Sequence, residues 1–538
     1  MLGVMIDCSR NAVMSLQAVK EYVDLLAKMG YDTVMLYTED TYEVKDEPYF
    51  GYMRGRYTKQ EFQELDAYCK AKGIELVPCI QTLAHCNAIF QVTNVYDNVR
   101  DCDDILLIDG ARTYELLERM FASLAESFSS RKIHIGMDEA EKVGLGKYLK
   151  EHGYTERFDL INKHLHKVCE IAKKYGFEPM IWSDMFCRLA AGTADYYAGG
   201  DVSVIREKAN LPDNVTLVYW DYYSNDYDHY VKMFRTNKAF GRPVAFAGGA
   251  WTWKGFAPDN VMSIDNTAAA VKACNAEGVE DVLFTMWGDD GAEGSRFAVL
   301  PSLLYAAELK RGNADMEDIK AKFLELTGIA WDSFLLLDKL DTPGGKHTYN
   351  PSKYLLYNDP FTGLNDYRVT VEDGAYYADL AEKLSGVVKD LRACTGRGFA
   401  GAHFLRLFET AEALCRLLAE KAPLGVKTRA AYAAGDKAAL KELAEGAYCK
   451  AIQELGCFYD TFWIQWQAEN KPFGFDIQDF RIGGVQRRLE SCRQRLLAYA
   501  AGNEENIPEL ETELLEGTGK MQWTNIATPN VVSHITFP

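Results

Sequence analysis

Two acidic residues stand side by side in the segment His134-Ile135-Gly136-Met137-Asp138-Glu139. The run 132–138 predicts a strand, and successive side chains leave an extended backbone in different directions. One carboxyl group can therefore orient a substrate while its neighbour transfers a proton, if their surroundings separate their pKa values. An isolated Asp-Glu pair is typical of a solvated helix start, but the preceding His-x-Gly-x at a strand end favours a catalytic site.

Polar and aromatic residues follow the other predicted strands as well. Tryptophan rings pack against the C–H faces of pyranose rings, while carboxylates, arginine and tyrosine bind hydroxyl groups. The mixture therefore predicts a sugar-binding pocket. The residues concerned are Asp7, Arg10, Glu39, Asp40, Gln81, His85, Trp182, Asp184, Tyr219, Trp220, Asp221, Tyr222, Tyr223, Trp251, Trp253, Trp287, Asp289 and Asp290.

The elements that must position these residues alternate between short β-branched runs and longer amphipathic patterns. Eight strands are predicted, at 4–7, 33–38, 75–82, 132–138, 179–184, 216–220, 243–246 and 281–287. Strands that alternate with single helices pair in parallel through right-handed crossovers, and eight such units close a (β/α)8 TIM barrel of the α/β class. A doubly wound open sheet is the alternative. In a barrel, the residues that follow the strands meet at one rim, where active sites of this fold lie.

The strand signal disappears near residue 313, and the rest of the chain predicts helices. We therefore expect a barrel over residues 1–312 and an all-α C-terminal domain over residues 313–538. The segment 341–361, rich in Tyr, Pro, Gly and Asn, predicts an extended loop. Helices are expected at 316–326, 375–391, 404–422, 437–455, 460–470 and 485–500.

Composition excludes several classes of protein. Hydrophobic residues make up 48% of the 538 residues, which is ordinary for a globular chain. The formal net charge of −19 disfavours partners such as nucleic acid or an anionic membrane surface. The N-terminal segment shows no signal-peptide pattern and no apolar run is long enough to span a membrane, so a cytoplasmic protein is expected. The 13 cysteines are scattered, which predicts reduced thiols and neither a disulfide framework nor a zinc ribbon.

The pattern H-x-G-x-D-E resembles the active-site signature of glycoside hydrolase family 20, the β-N-acetylhexosaminidases. The surrounding layout of residues 1–310 is also similar to that family, including a bacterial branch with a helical C-terminal extension. The resemblance implies an exo-acting, retaining enzyme that needs neither a metal nor an organic cofactor. Its substrates would be glycans that end in β-linked N-acetylglucosamine or N-acetylgalactosamine. The matching positions are Arg10, His85, Asp138, Glu139, Trp182, Tyr219, Asp221, Trp287 and Asp289.

The resemblance also implies catalytic roles. In this family the 2-acetamido oxygen of the sugar attacks the anomeric carbon, so no protein nucleophile is needed. Asp138 would accept the acetamido N–H and stabilise the oxazolinium ion. Glu139 would protonate the leaving group and then deprotonate water. Tyr219 would donate its hydroxyl to the acetamido carbonyl, with Asp221 assisting its geometry.

The remaining implied residues would bind the sugar. Arg10 and Asp289 would contact the hydroxyl groups O3, O4 or O6, and His85 would hold a carboxylate. Asp289 stands where many members carry the longer Glu, which leaves the choice between N-acetylglucosamine and its C4 epimer open. Asp40 or its neighbour Glu39 would bond His85 or a hydroxyl group. The walls of the pocket would be Trp182, Trp251 and Trp287.

Three other functions stay open on the sequence. A metal-dependent hydrolase would use His85, His134, Asp138 and Asp184, which is a poor ligand set. A two-carboxylate retaining glycosidase would pair Glu139 with Asp221 or Glu293. A barrel that binds sugar without catalysis is the third. The helical domain would brace the barrel or form a homo-oligomer interface.

Overall fold

The computed structural model describes residues 1–92, 94–193, 195–197, 202–208, 210–345, 350–370, 373–394 and 401–515. At its centre, eight parallel strands form a closed barrel. The last strand pairs with the first, so the predicted TIM barrel is confirmed and the open-sheet alternative is wrong. The strands are β1 (Leu2–Asp7), β2 (Thr33–Tyr37), β3 (Glu75–Cys79), β4 (Lys132–His134), β5 (Glu178–Trp182), β6 (Thr216–Trp220), β7 (Val244–Gly249) and β8 (Val282–Met286).

Helices surround the barrel, and a short antiparallel hairpin, Arg100–Cys102 with Ile105–Leu106, lies between β3 and β4. Two short helices, Asp184–Ala191 (α7) and Val202–Lys208 (α8), follow β5. The helices are α1 (Leu16–Met29), α2 (Lys59–Ala71), α3 (Asn87–Val92), α4 (Ala111–Ala125), α5 (Lys147–His152), α6 (Arg157–Lys174), α7 (Asp184–Ala191), α8 (Val202–Lys208), α9 (Tyr227–Lys238), α10 (Asn260–Glu277) and α11 (Leu300–Lys310).

The rest of the described chain is helical, as predicted, with two differences. A buried helix, α14, occupies part of the expected loop 341–361, and Pro351 starts it because a missing N–H costs nothing at the first turn. The break expected between 455 and 460 lies instead at Gly446. The helices are α12 (Met316–Thr327), α13 (Trp331–Phe334), α14 (Pro351–Tyr357), α15 (Asp373–Cys394), α16 (Gly401–Lys421), α17 (Leu424–Ala433), α18 (Lys437–Glu445), α19 (Ala447–Glu469), α20 (Phe475–Ala500) and α21 (Pro508–Glu511).

Side chains alternate along each barrel strand and separate two cores. Val218 of β6 points into the barrel, where it packs with inward residues such as Met5 and Trp182. Its neighbour Tyr219 points outward, into the layer between the strands and the helices. A residue's place in this alternation therefore decides whether it can reach the inside of the barrel.

The C-terminal helices pack directly on the barrel. The backbone N–H of Ser15, at the start of α1, donates to the carbonyl of Glu469 at the end of α19. The side chain of Glu469 accepts a hydrogen bond from Ser295, after β8. The domain division at residue 312 falls in the turn between α11 and α12 and stays a prediction. Among the described helices, none combines the length and apolar character of a membrane span.

Candidate active site

A cavity opens at the carboxyl-terminal ends of the barrel strands. It has an empty volume of about 570 Å³, its open mouth included. The sequence-predicted residues on its wall are Arg10, His85, Asp138, Glu139, Trp182, Trp287 and Asp289, and Tyr37, Trp220, Tyr222, Tyr223 and Trp253 join them.

The acidic pair lies on a turn and not on an extended strand. Strand β4 ends at His134, so the predicted strand 132–138 extends too far. The φ angles of Gly136, Met137 and Glu139 are 71°, 72° and 52°, in the left-handed region that residues other than glycine rarely adopt. This turn, and not strand alternation, directs Asp138 into the cavity and leaves Glu139 at its mouth.

Gln81, just after β3, clamps this turn. Its Oε1 accepts the backbone N–H of Met137 at 3.0 Å. Its Nε2 donates to Asp138 Oδ1 at 2.7 Å and to the hydroxyl oxygen of Tyr37 at 2.9 Å. A Cβ at Gly136 would lie 2.0 Å from Gln81 Oε1, so the clamp fits only if residue 136 is glycine.

Asp138 and His85 form a buried pair. His85 Nε2 lies 3.3 Å from Asp138 Oδ2. Burial by itself raises the pKa of Asp138, but the charge of the nearby His85 and the hydrogen bond from Gln81 outweigh it and hold that pKa below its ordinary value. Burial lowers the pKa of His85, but Asp138 outweighs this effect and raises it to about 10. The pair is therefore a carboxylate and an imidazolium at neutral pH.

Glu139 has the opposite tendency. Its side chain is 41% exposed at the mouth, with Oε2 at 3.6 Å from His85 Nε2. Partial burial raises its pKa, the charge of His85 opposes this, and the charge of Asp138 adds to it, so the pKa stays above its ordinary value. The backbone N–H of Glu139 donates to Asp184 Oδ2 at 3.1 Å. The pKa values of the two neighbouring acids are thus shifted in opposite directions, as an acid and an anionic partner require.

Arg10 and Asp289 supply the other charged groups of the wall. Arg10 Nη2 lies 3.5 Å from Glu39 Oε1. Burial raises the pKa of Asp289 to about 6, although Arg10 lowers it. The backbone before Asp289 is fixed because the N–H of Gly288 donates to Asp7 Oδ2 at 2.7 Å. The Arg10 guanidinium can donate to the oxygen of a sugar hydroxyl group, and the Asp289 carboxylate can accept from one.

Aromatic rings form the rest of the wall. The rings of Trp182 and Trp287 lie 6.2 Å apart and are tilted by 52°. Trp287 also meets Tyr37 edge to face at 4.8 Å. Near the mouth, Trp220 stacks on Tyr222 at 5.2 Å. These rings hold one another in place and present an apolar surface of the kind that packs on a sugar ring.

Tyr219 does not lie on the cavity wall, so its predicted contact with an acetamido group is wrong. The ring points out of the barrel and packs against Phe234 and Phe246. Its hydroxyl donates to Asp221 Oδ2 at 2.8 Å and lies 3.2 Å from His229 Nε2. The cause is strand alternation, because Tyr219 directly follows an inward-pointing residue of β6.

Asp221 and Trp251 also lie behind the wall, so neither contacts a sugar from it. Asp221 does support Tyr219 as expected, because it accepts the Tyr219 hydroxyl. Asp221 Oδ1 accepts the backbone N–H groups of Tyr223 and Ser224 at 2.9 and 3.1 Å, so it shapes the loop after β6. Trp251 is fully buried and stacks on Trp253 with ring centroids 4.2 Å apart. Trp253 is the member of this stack that reaches the cavity.

Asp40 is a structural residue and not a wall residue. Its carboxylate accepts hydrogen bonds from Arg54 Nε and Nη2 at 3.1 and 3.0 Å, and it is buried. Glu39 is the acid of this segment that approaches the cavity, through its pairing with Arg10. The sequence could not decide between the two neighbours because Glu39 has a φ of 45°, which breaks the strand alternation.

The sequence indicates this part of the wall only in outline. Trp220, Tyr222, Tyr223 and Trp253 are among the residues predicted to surround a sugar-binding pocket, but the family resemblance implies no role for them, and Tyr37 is outside that set. Period-2 alternation is the signal that could have found Trp220, because it places this residue on the same face as inward-pointing Val218.

The structure also locates the residues of the alternative functions. Asp221 and Glu293 are buried away from the cavity wall, so neither can pair with Glu139 across a bound sugar. Among the residues that the structure describes, no group of three or more His, Cys, Asp or Glu side chains is arranged to hold a metal ion.

Comparison with known proteins assigns the chain to a family. The model for "Glycosyl hydrolase family 20, catalytic domain" matches residues 2–236, and the model for "Glycoside Hydrolase 20C C-terminal domain" matches residues 332–527. A β-hexosaminidase of Akkermansia muciniphila is 23% identical over 235 residues, which are 37% of this chain and 46% of that protein. A β-hexosaminidase of Vibrio furnissii is 25% identical over 224 residues, which are 34% of this chain and 36% of that protein.

The chain thus spans less than half the length of these two curated relatives. A solved structure of the Streptomyces plicatus N-acetyl-β-hexosaminidase is 18% identical with a TM-score of 0.44, and the match covers 61% of this chain and 69% of that chain. The two matching family models describe the catalytic and C-terminal parts of one family, and the chain belongs to glycoside hydrolase family 20.

Proposed function

We propose that this protein is an exo-acting, retaining β-N-acetylhexosaminidase that removes terminal β-linked N-acetylglucosamine or N-acetylgalactosamine from glycans. The observation that carries the proposal is the adjacent acid pair at the cavity, in which Asp138 is held ionised and the pKa of Glu139 is raised. The names of the matched relatives agree with it. The cavity ends on the barrel core, which suits a terminal sugar and supports exo action.

In the proposed mechanism, Asp138 acts on the acetamido group. An ionised carboxylate accepts the acetamido N–H and turns the carbonyl oxygen toward the anomeric carbon. As that oxygen attacks, positive charge develops on the ring that forms, and the nearby negative charge stabilises it. His85 and Gln81 keep Asp138 ionised and oriented.

Glu139 would carry the proton. With its raised pKa, it protonates the glycosidic oxygen as the bond to the leaving group breaks. The carboxylate so formed then takes a proton from the water that opens the cyclic intermediate. Its place at the mouth, where leaving group and water pass, fits both steps.

Tyr222 would take the role that the sequence gave to Tyr219. It lines the cavity, and its ring stacks on Trp220 with the ring centroids 5.2 Å apart. A tyrosine hydroxyl on the cavity wall can supply the donor that the acetamido carbonyl needs.

The test compares p-nitrophenyl β-glycosides of N-acetylglucosamine, N-acetylgalactosamine and galactose. We expect turnover of one or both N-acetylated substrates, inhibition by a thiazoline analogue of the cyclic intermediate, and little turnover of the galactoside. In Asp138→Asn, kcat should fall by roughly 10² or more, because the amide supplies no negative charge. Equal turnover of the galactoside, or wild-type kcat in Asp138→Asn, would refute the substrate-assisted scheme.

A further inference from the structure

The loop after β8 connects the active site to the C-terminal helices. Trp287 and Asp289 of this loop line the cavity. A few residues further on, Glu293 turns away from the cavity and is 4% exposed. The loop contains two unusual backbone conformations, a φ of 135° at Gly291 and of 56° at Ala292. Such conformations persist only where the surroundings fix them.

Two cations from the C-terminal helices hold Glu293. Nη1 of Arg481, on α20, donates to Glu293 Oε1 at 2.8 Å. Nζ of Lys353, on α14, lies 3.0 Å from Glu293 Oε2. The three side chains are 1–3% exposed. Neither cation belongs to the barrel, and Arg481 is 188 residues away from Glu293 in the sequence.

The same helices contact the loop on both sides of Glu293. Gln478 of α20 donates to the carbonyl oxygen of Gly291 at 3.2 Å. Glu469 of α19 accepts the hydroxyl of Ser295 at 2.8 Å. A Cβ at Gly291 would lie 2.4 Å from Nη1 of Arg481, so the backbone and the guanidinium are in close contact.

Stability alone is a weak explanation for this buried triad. Burying one anion with two cations carries a large desolvation cost, and apolar residues of similar volume often stabilise a protein as well or better. Buried ionic groups can instead fix one backbone conformation. The backbone that this triad can fix is the loop after β8, which carries Asp289.

We propose that Arg481 and Lys353 are positioning residues: through Glu293 they hold the loop that presents Asp289 to the sugar hydroxyl groups. The C-terminal helices are thus a working part of substrate recognition. This inference rests on the proposed function, because it takes Asp289 to bind a sugar hydroxyl.

The experiment uses the full chain with Arg481→Met, Lys353→Met and the conservative Arg481→Lys. The matched control is Arg488→Met, which removes another arginine from the same helix. The partner of Arg488 is Asp359, a residue outside the barrel, with Nε at 2.5 Å from Oδ2. Kinetics on both p-nitrophenyl N-acetylhexosaminides are combined with hydrogen exchange of the segment 288–295 and with thermal unfolding.

We expect KM to rise about tenfold in the two methionine variants with kcat changed much less, because a hydroxyl contact is made in both the ground and transition states. Exchange in 288–295 should become faster, Arg481→Lys should lie closer to wild type, and Arg488→Met should change neither KM nor exchange in 288–295. Folded Arg481→Met and Lys353→Met with wild-type KM and exchange would overturn the inference. If Arg481→Met does not fold, Lys353→Met and Arg481→Lys decide alone.

Failure of the proposed function gives a different result. A wild-type protein that turns over neither N-acetylhexosaminide refutes the hexosaminidase assignment. The exchange comparison then still decides whether Arg481 and Lys353 fix the loop, since it needs no substrate.

Discussion

At the residue scale, neighbouring groups shift the pKa values of the acid pair in opposite directions. Asp138 lies against His85 and accepts from Gln81, so it stays ionised although it is buried. Glu139 is one residue away but lies farther from His85, with Oε2 at 3.6 Å from Nε2, and its pKa is raised. General acid catalysis needs two different pKa values at this pair. They differ because the left-handed turn directs the two side chains into different surroundings.

Replacing Glu139 by Gln tests the acid role. We expect kcat/KM to fall by roughly 10² to 10⁴ on substrates with poor leaving groups, such as an N-acetylhexosaminyl disaccharide. The loss on an activated aryl glycoside should be much smaller, because its leaving group departs without protonation and kcat/KM reports that first step. Equal losses on both substrates would contradict the assignment.

The outward orientation of Tyr219 gives a paired prediction. Tyr222→Phe should lower kcat by roughly tenfold or more on N-acetylhexosaminides, because the carbonyl loses a donor in the transition state. Tyr219→Phe should leave kcat nearly unchanged and mainly lower the thermal unfolding temperature, because it leaves Asp221 and His229 without their hydroxyl partner. The reverse result would show that the outer tyrosine reaches the substrate. Measuring kcat on the p-nitrophenyl N-acetylhexosaminides with both purified variants distinguishes the two outcomes.

At the scale of elements, the turns after the strands supply residues of the site as well as connecting the strands to the helices. Residues His85 and Glu139 have φ angles of 55° and 52°, and both take part in the site. Holding such residues in the left-handed region costs on the order of 1–2 kcal/mol each. The hydrogen bonds that their backbone N–H groups donate, from His85 to Asp104 and from Glu139 to Asp184, help to offset this cost.

Two glycines with the same backbone angle allow a matched test of the turn after β4. Gly136 and Gly241 both have a φ of 71°, but a Cβ would clash with Gln81 at Gly136 and meets nothing within 4 Å at Gly241. Gly241→Ala should cost only the backbone strain, about 1 kcal/mol. Gly136→Ala should cost more and also lose most activity, because Gln81 must leave Asp138. Similar activity in the two variants would show that the clamp is not needed.

At the scale of the whole molecule, the barrel and the C-terminal helices share buried polar contacts. Glu469 accepts from Ser295, and burial raises its pKa to about 7 from an ordinary value of 4.5. The folded state therefore binds more protons than the unfolded state between those values. Stability from this group is present below about pH 4.5 and is lost as the pH rises to about 7.

Comparison of wild type with Glu469→Gln isolates this effect. The free energy of unfolding of wild type, relative to the variant, should fall by up to about 3 kcal/mol between pH 4.5 and pH 8. Urea unfolding of both proteins at several pH values measures it. Parallel pH curves for the two proteins would contradict a buried, proton-binding Glu469.

The sequence by itself determined the barrel, the helical remainder and the position of the acid pair at the end of β4. Hydrophobic periodicity and helix signals are local, so they can be read from neighbouring residues. The eight strands and the H-x-G-x-D-E segment were therefore located correctly, although β4 was predicted too long. The residues of this segment lie together on one turn, so the sequence already shows that they are close.

Only the tertiary structure decided which neighbour faces the cavity and what holds it there. A one-residue change along a strand reverses the side that a side chain faces, so Tyr219 and Trp251 were assigned to the site although they lie behind it. The contact between Arg481 and Glu293 joins residues 188 positions apart, and no local pattern encodes such a pair. These choices depend on how distant segments pack, which is why they appear only when the barrel and the helices are assembled.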